Sequence, residues 1–288
     1  MQNYGVGNMI APLKRVMVVA PKPFPGEVTW QEFNYFRAPD EARVQTEHAA
    51  FRGILQAAGC EVVTVEDYDP RLQDGLFTHD PSIMTPWGAV VTRMGKALRL
   101  GENDLHAQTY ERLGIPILGR IEAPGTLEGG DTTWLDERTL VVGRGFRTNL
   151  EGVFQLEGLL KPHGITVTAV DLPYFNGRKE CLHLMSLINL LDRDLAAVFE
   201  RFMPVALMEA LEERGIGWIA MPEEEFYSLG NNLLTLAPRL ILMAEGNPKS
   251  RALLEAAGCQ VLTYSGEEIS KNREGGPTCL TRPLWRAW

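Results

Sequence analysis

Cys279 follows Gly275-Gly-Pro-Thr, and its surroundings suit a thiol that must meet a ligand. Glycines let a backbone approach a bound molecule closely, and Thr278 and Thr281 make the run less apolar than a core strand. Taken alone, Cys279 also fits a small buried hydrophobe. A free thiol is only a few per cent thiolate at neutral pH, so a nucleophilic role needs a cationic neighbour, a base or a cationic substrate. His183, in Cys181-Leu-His-Leu-Met, could serve as that base. With an ordinary pKa of about 6.5, it can give a proton to a leaving amine and then take one from water. Its apolar neighbours equally suit a satisfied core histidine, and Cys181 reads as a core thiol.

Carboxylates supply the complementary chemistry. Glu128 stands before two glycines in Leu127-Glu-Gly-Gly-Asp131, Asp80 lies in Phe77-Thr-His-Asp-Pro, and Asp74 is six residues earlier. Each fits a turn or a helix cap. Together they would make a pocket for a planar cation with several N–H donors, because guanidinium pairs bidentately with carboxylate. Arg93 and Arg147 each follow an apolar strand and read as surface charges or, on a pocket rim, as a clamp for a substrate carboxylate. Asn231 and Asn232 could orient a nucleophile or form a turn. His79, beside Asp80, is the other histidine to weigh, whereas His48, His106 and His163 read as exposed.

These residues are far apart in sequence, so the elements between them must bring them together. Five helix-like stretches end in a glycine (Gly59, Gly114, Gly164, Gly215, Gly258) followed by a short apolar run and then a polar cluster. The spacing is a loose period of about fifty residues, the self-similarity of a repeat architecture. The clusters are Phe77 to Pro81, Leu127 to Asp131, Leu182 to Ser186, Ser228 to Asn232 and Gly275 to Cys279. Each unit reads as an apolar strand (Val16 to Val19, Ala89 to Thr92, Thr139 to Val142, Ala196 to Phe199, Leu240 to Met243), a helix stopped by its glycine, and a second strand. Such units could build an open doubly wound sheet or a closed ring. The ring is favoured, since the last cluster's natural successor is the chain's own first strand, Val16 to Val19. Gly143-Arg-Gly-Phe-Arg lacks the third glycine of a dinucleotide fingerprint. Cys60 and Cys259 follow unit glycines and read as core residues.

With 288 residues, 45% apolar and 23% charged, the chain has an ordinary globular composition. A net charge of −9 disfavours general nucleic-acid affinity and would attract a cationic small substrate. No run approaches the length of a membrane span and no export signal is evident, which leads to a cytoplasmic expectation. No Cys-x-x-Cys pair suggests structural zinc. No linker divides the sequence, so residues 1–288 read as one catalytic domain, with a two-fold homodimer as the default assembly.

In order and spacing, Phe77-Thr-His-Asp-Pro, Leu127-Glu-Gly-Gly-Asp, Phe146-Arg-Thr-Asn-Leu-Glu-Gly, Leu182-His-Leu and Gly-Gly-Pro-Thr-Cys279 resemble the guanidine-modifying pentein superfamily. The dimethylarginine dimethylaminohydrolases are the best match in size and motif. The resemblance implies an α/β fold, a five-bladed pseudo-symmetric propeller of ββαβ units. It implies hydrolysis of a guanidine C–N bond in an arginine-like substrate, with Cys279 as nucleophile, His183 as acid and then base, and Glu128 binding guanidinium. Asp80 and Asp74 would take the guanidinium nitrogens, Arg93 and Arg147 the substrate carboxylate, and no metal or cofactor is required. Three features depart from relatives: arginine deiminases have an acid where this chain has Met185, they are longer, and position 79 is a histidine where dimethylaminohydrolases carry an acid and deiminases a basic residue. Amidino transfer, arginine deimination and a catalytically silent binding ring are the competing readings. Phe24 to Asp40 is a candidate lid.

Overall fold

The computed structural model describes residues 2–178, 180 and 182–287; Cys181 lies outside the described residues. In chain order the elements are β1 (Leu13–Val19), α1 (Glu41–Ala57), β2 (Glu61–Val65), β3 (Ser82–Thr85), β4 (Gly88–Val91), α2 (Glu102–Leu113) and β5 (Ile117–Arg120). They continue with β6 (Thr132–Asp136), β7 (Thr139–Arg144), α3 (Leu150–Leu160), β8 (Thr166–Asp171), β9 (Ile188–Asp192), β10 (Leu195–Val198), α4 (Val205–Glu213) and β11 (Gly217–Ala220). The last are β12 (Leu234–Ala237), β13 (Leu240–Ala244), α5 (Pro248–Ala256), β14 (Gln260–Tyr264) and β15 (Arg282–Arg286).

These strands form five three-stranded sheets. In each, the middle strand pairs antiparallel with the strand before it and parallel with the strand after the helix. Thus Val90 of β4 faces Ile83 of β3 and Gly119 of β5. The fifth hairpin is made across the ends of the chain. Val16 pairs with Pro283 and Met17 with Arg282, so β15 completes the sheet of β1 and β2 and closes the ring anticipated from the sequence. The extra strand in each sheet is the one direct reading missed. β3, β6, β9, β12 and β15 are short, and each begins within a few residues of a polar cluster, so they lack a long apolar run.

The middle strands are continuous apolar runs because both of their faces are buried, as β-strand alternation requires. On β1, Val16 and Val18 join a core with Phe51 and Leu55 of α1. Met17 and Val19 point the other way, into a core with Val90, Tyr110 and Leu140. The five glycines after the helices all have left-handed backbone, with φ from 66° at Gly215 to 88° at Gly59. That conformation turns the chain from helix into the third strand, and glycine adopts it without Cβ strain.

Cys60 and Cys259 are buried in the cores, as expected. His48 and His106 are not exposed as expected: they are 3% and 1% accessible. His106 turns inward on α2, its Nδ1 2.9 Å from Ser82 Oγ, and burial lowers its pKa. His163 is half-buried and stacks on Trp87 at 4.2 Å. The segment from Phe24 to Asp40 is anchored, with Phe24 edge-on to Tyr35, Phe36 N–H donating to Asn272 O at 3.0 Å, and Arg37 paired with Glu268. Among the described residues, no helix is long and apolar enough to cross a membrane.

Candidate active site

Every polar cluster occupies the same place in the repeat, the loop that enters the first strand of a sheet. This equivalence brings Asp80, Glu128 and His183 together although 55 residues separate the last two. Glu128 Oε2 lies 2.8 Å from His183 Nε2, and Asp80 Oδ1 is 3.7 Å from Nδ1 on the other side of the ring. An ionised carboxylate can only accept, so Nε2 carries the proton of the Glu128 bond. The two glycines after Glu128 permit this approach. A Cβ at Gly130 would stand 2.5 Å from His183 Nδ1 and 2.8 Å from Asp80 Oδ1. The Gly130 N–H instead donates to Asp80 Oδ1 at 3.0 Å.

The three groups are buried, and buried carboxylates persist only when paired. Asp80 Oδ2 receives Arg99 at 2.6 Å, and Arg99 also binds Glu102 at 2.7 Å. Glu128 Oε1 accepts the Gly95 N–H at 3.0 Å and Arg147 at 3.2 Å. Burial pushes the Glu128 pKa up, but the His183 hydrogen bond and the Arg147 charge outweigh it and hold the carboxyl well below its usual range. Asp80 has the same balance: burial raises, His183 and Arg99 lower, and the result is a lowered pKa. Asp131 differs. Burial pushes it up to about 6, although it accepts Thr148 Oγ1 at 2.6 Å and the Leu184 N–H at 3.1 Å. It thereby pins the residue after His183.

Asp80, Glu128 and His183 also form a group whose ligand atoms lie within 4.8 Å of one another. A divalent cation there would compete with the Arg99 and Arg147 charges already facing those carboxylates, so the donor set fits a neutralised polar cluster better than a metal centre.

Cys279 is half-buried, and His183 and Cys279 line one cavity of about 80 Å³. Phe175, Phe226 and Tyr227 form its aromatic side, with Glu180 and Glu274 carrying negative charge there. Asn232 Nδ2 lies 3.2 Å from Cys279 Sγ. A larger cavity of about 510 Å³ adjoins through Phe175 and Glu180 and is lined by Arg147, Phe146 and Tyr174. It contains neither the thiol nor the imidazole; both of those line the smaller one.

The remaining candidates are more dispersed. Arg147 reaches Glu128, while Arg93 Nη1 is 3.4 Å from Gly125 O and its main chain pairs with Leu127, holding the loop just before Glu128. Asp74 Oδ2 receives Lys96 at 2.6 Å and Arg273 at 2.9 Å, leaving buried Oδ1 without a hydrogen-bond partner among the described residues. The candidate lid packs on this Asp74 side: Tyr35 feels the Asp74 charge, and Lys96 Nζ is 5.3 Å from the Phe33 ring centre. No residue of that segment lines the Cys279 cavity among the described residues.

The family pattern described as arginine deiminase matches residues 68–214 and 203–286. The dimethylarginine dimethylaminohydrolase of Pseudomonas aeruginosa is 30% identical over 244 residues, covering 84% of this chain and 89% of the relative. The chain belongs to the pentein family of guanidine-modifying enzymes. The solved Pseudomonas aeruginosa enzyme, as a cysteine-to-serine mutant complexed with citrulline, superposes with a TM-score of 0.74 at 25% identity, over 94% of this chain and 98% of its own. An amidinotransferase from Microseira wollei shares the fold at TM-score 0.79 and 15% identity, over 98% of this chain and 97% of its own.

Within this pentein, His79 is turned out of the cavity. Its Nδ1 is 2.8 Å from Thr281 O, and burial, together with the Arg282 charge, lowers its pKa to about 3. A neutral ring therefore donates to that carbonyl. Met185 is likewise buried outside the Cys279 cavity. Sequence reasoning overlooked Arg99, Lys96 and Arg273 as partners of the acids. Arg99 carries no motif signal; only its contacts with Asp80 and Glu102 give it a part. Asp131 was within reach, since it completes the Glu-Gly-Gly-Asp run.

Proposed function

We propose that residues 1–288 form a single catalytic domain that hydrolyses a guanidine C–N bond of an arginine-like, dimethylarginine-type substrate through a covalent Cys279 intermediate. The observation that carries this reading is a half-buried thiol sharing one cavity with an imidazole held by a buried carboxylate. Membership of a guanidine-modifying family supports the substrate class.

In the proposed cycle the Cys279 thiolate adds to the guanidinium carbon, forming a C–S bond. The tetrahedral adduct collapses by breaking the C–N bond, and His183 gives its proton to the departing amine. The remaining S-alkylthiouronium is attacked by a water whose proton His183 takes. Breaking the C–S bond as the remaining hydroxyl proton passes to solvent returns the thiolate and leaves a ureido product. Glu128 holds the imidazole and stabilises its cationic form, and Asp80 and Asp74 supply negative charge for the guanidinium. Arg147, on the adjoining cavity, is the candidate for a substrate carboxylate, with Arg93 supporting the loop before Glu128. No metal enters the scheme.

Cys279→Ser tests it. Turnover of a panel of methylated arginines, arginine, agmatine and guanidino acids, followed by released amine or ammonia and by the ureido product, should fall about a thousandfold or more without loss of folding. Full activity in the serine variant overturns the nucleophile. A product carrying the amidino group on an added amine would replace hydrolysis by transfer.

A further inference from the structure

The fourth cluster has no part in the cycle above, yet its two asparagines face different halves of the site. Asn231 Nδ2 donates to Ser186 O at 2.9 Å, in the turn that follows His183. Its main-chain oxygen accepts Asn189 Nδ2 at 2.5 Å. Asn232 faces the opposite way, with Nδ2 3.2 Å from Cys279 Sγ.

The orientation of the Asn232 amide is fixed by its other end. Thr278 N–H donates to Asn232 Oδ1 at 3.3 Å, so a flipped amide would set donor against donor there and an oxygen against the sulfur. Thr278 Oγ1 donates to Leu233 O at 2.5 Å, which ties together the residues beside both partners. The glycines before Cys279 are part of the same fit. A Cβ on Gly276 would collide with the Asn232 side chain, and one on Gly275 with the Phe77 ring.

We propose that Asn232 is a catalytic residue: its side-chain N–H donates to Cys279 Sγ, stabilising and aiming the thiolate before it attacks. An amide N–H bonds a thiolate far better than a neutral thiol, because the hydrogen bond becomes charge-assisted. The contact therefore favours the reactive form. Asn232 gives up no proton at any step. Asn231, by binding the turn after His183, sets the acid–base loop in register with the nucleophile loop and is a positioning residue. This inference rests on Cys279 being the nucleophile.

The test is the pH dependence of Cys279 carbamidomethylation by iodoacetamide, read at that residue by mass spectrometry. It reports thiolate without requiring turnover. Asn232→Ala should move the midpoint up by about one pH unit, equivalent to about tenfold slower labelling below the midpoint. Asn232→Asp, which keeps the shape but sets a carboxylate beside the sulfur, should move it further. Gly276→Ala displaces the same side chain from behind and should shift the midpoint in the same direction, so the contact is tested even if one variant fails to fold. Unmoved profiles in folded Asn232 variants overturn the inference. If those profiles are unmoved while Cys279→Ser remains inactive, the nucleophile stands and Asn232 alone falls; an active Cys279→Ser removes both.

Discussion

The two halves of the site are built differently. Beside His183 the two paired carboxylates are buried and each held by more than one partner: Glu128 by the Gly95 N–H, Arg147 and the imidazole, Asp80 by Arg99 and the Gly130 N–H. Around Cys279 the thiol is half-buried, beside an amide donor and an aromatic wall. The contrast follows from what each group must do. A carboxylate–imidazole pair keeps its charges in the interior only if the geometry is set beforehand, whereas a thiol acting as the proposed nucleophile must be reached by substrate.

Glu128→Ala should have the largest effect. It should abolish turnover and also destabilise the fold by about 3–5 kcal/mol, because Arg147 loses a buried carboxylate. Cys279→Ser should leave thermal stability nearly unchanged. Equal stability losses would erase the distinction. Gly130→Ala comes next. Its new Cβ must displace His183 or Asp80, and we expect about a hundredfold loss of kcat, read by steady-state kinetics, with a smaller change in KM.

A third prediction sharpens the electrostatic side. Asp80 and Glu128, with lowered pKa values, contribute stability that is fully present above the ordinary carboxylate range and is lost as pH falls below it through their lowered values. Asp131 acts oppositely: raised to about 6, it contributes stability at low pH that is lost as pH rises through that value. Asp131→Asn should therefore gain stability relative to the parent between about pH 4 and pH 7, by about 3 kcal/mol at most, in thermal melts across pH. A pH-independent difference would count against the buried-acid reading. The smallest effect belongs to the mouth. Partial desolvation at the cavity mouth and the nearby Glu180 raise the Glu274 pKa. Glu274→Gln should raise KM for a cationic guanidine a few-fold at low salt and hardly at all at high salt.

The ring was legible because its signals are local. A glycine stop, a buried middle strand and a polar cluster recur in sequence, and the last cluster, Gly275 to Cys279, has the chain's own first strand, Val16 to Val19, as its natural successor. The convergence of Asp80, Glu128 and His183 follows from that repeat. Pairings between different loops were not legible. Arg99 has nothing around it to announce a bond to Asp80, and Arg147, read as a possible substrate clamp, reaches Glu128. Burial of His48 and His106 was missed because their helices are polar enough to read as surface, while the faces carrying them are covered. Asn231 and Asn232 could be read as orienting a nucleophile or as forming a turn; the opposite directions of their side chains are visible only in three dimensions.

The antiparallel pairing of β1 with β15 also orders events during folding. Met17 meets Arg282 across almost the whole chain, and Cys279 lies just ahead of that last strand. Contacts so distant in sequence are slow to form. A nascent chain can assemble four sheets and bring the imidazole to its carboxylate while the edge of β1 still waits, and in that interval it has no thiol in place. On the proposed mechanism, chemical competence and topological completion then arrive together: until the ring is finished the site lacks its thiol, and β1 keeps an unpaired strand edge open to a chaperone or a neighbouring molecule.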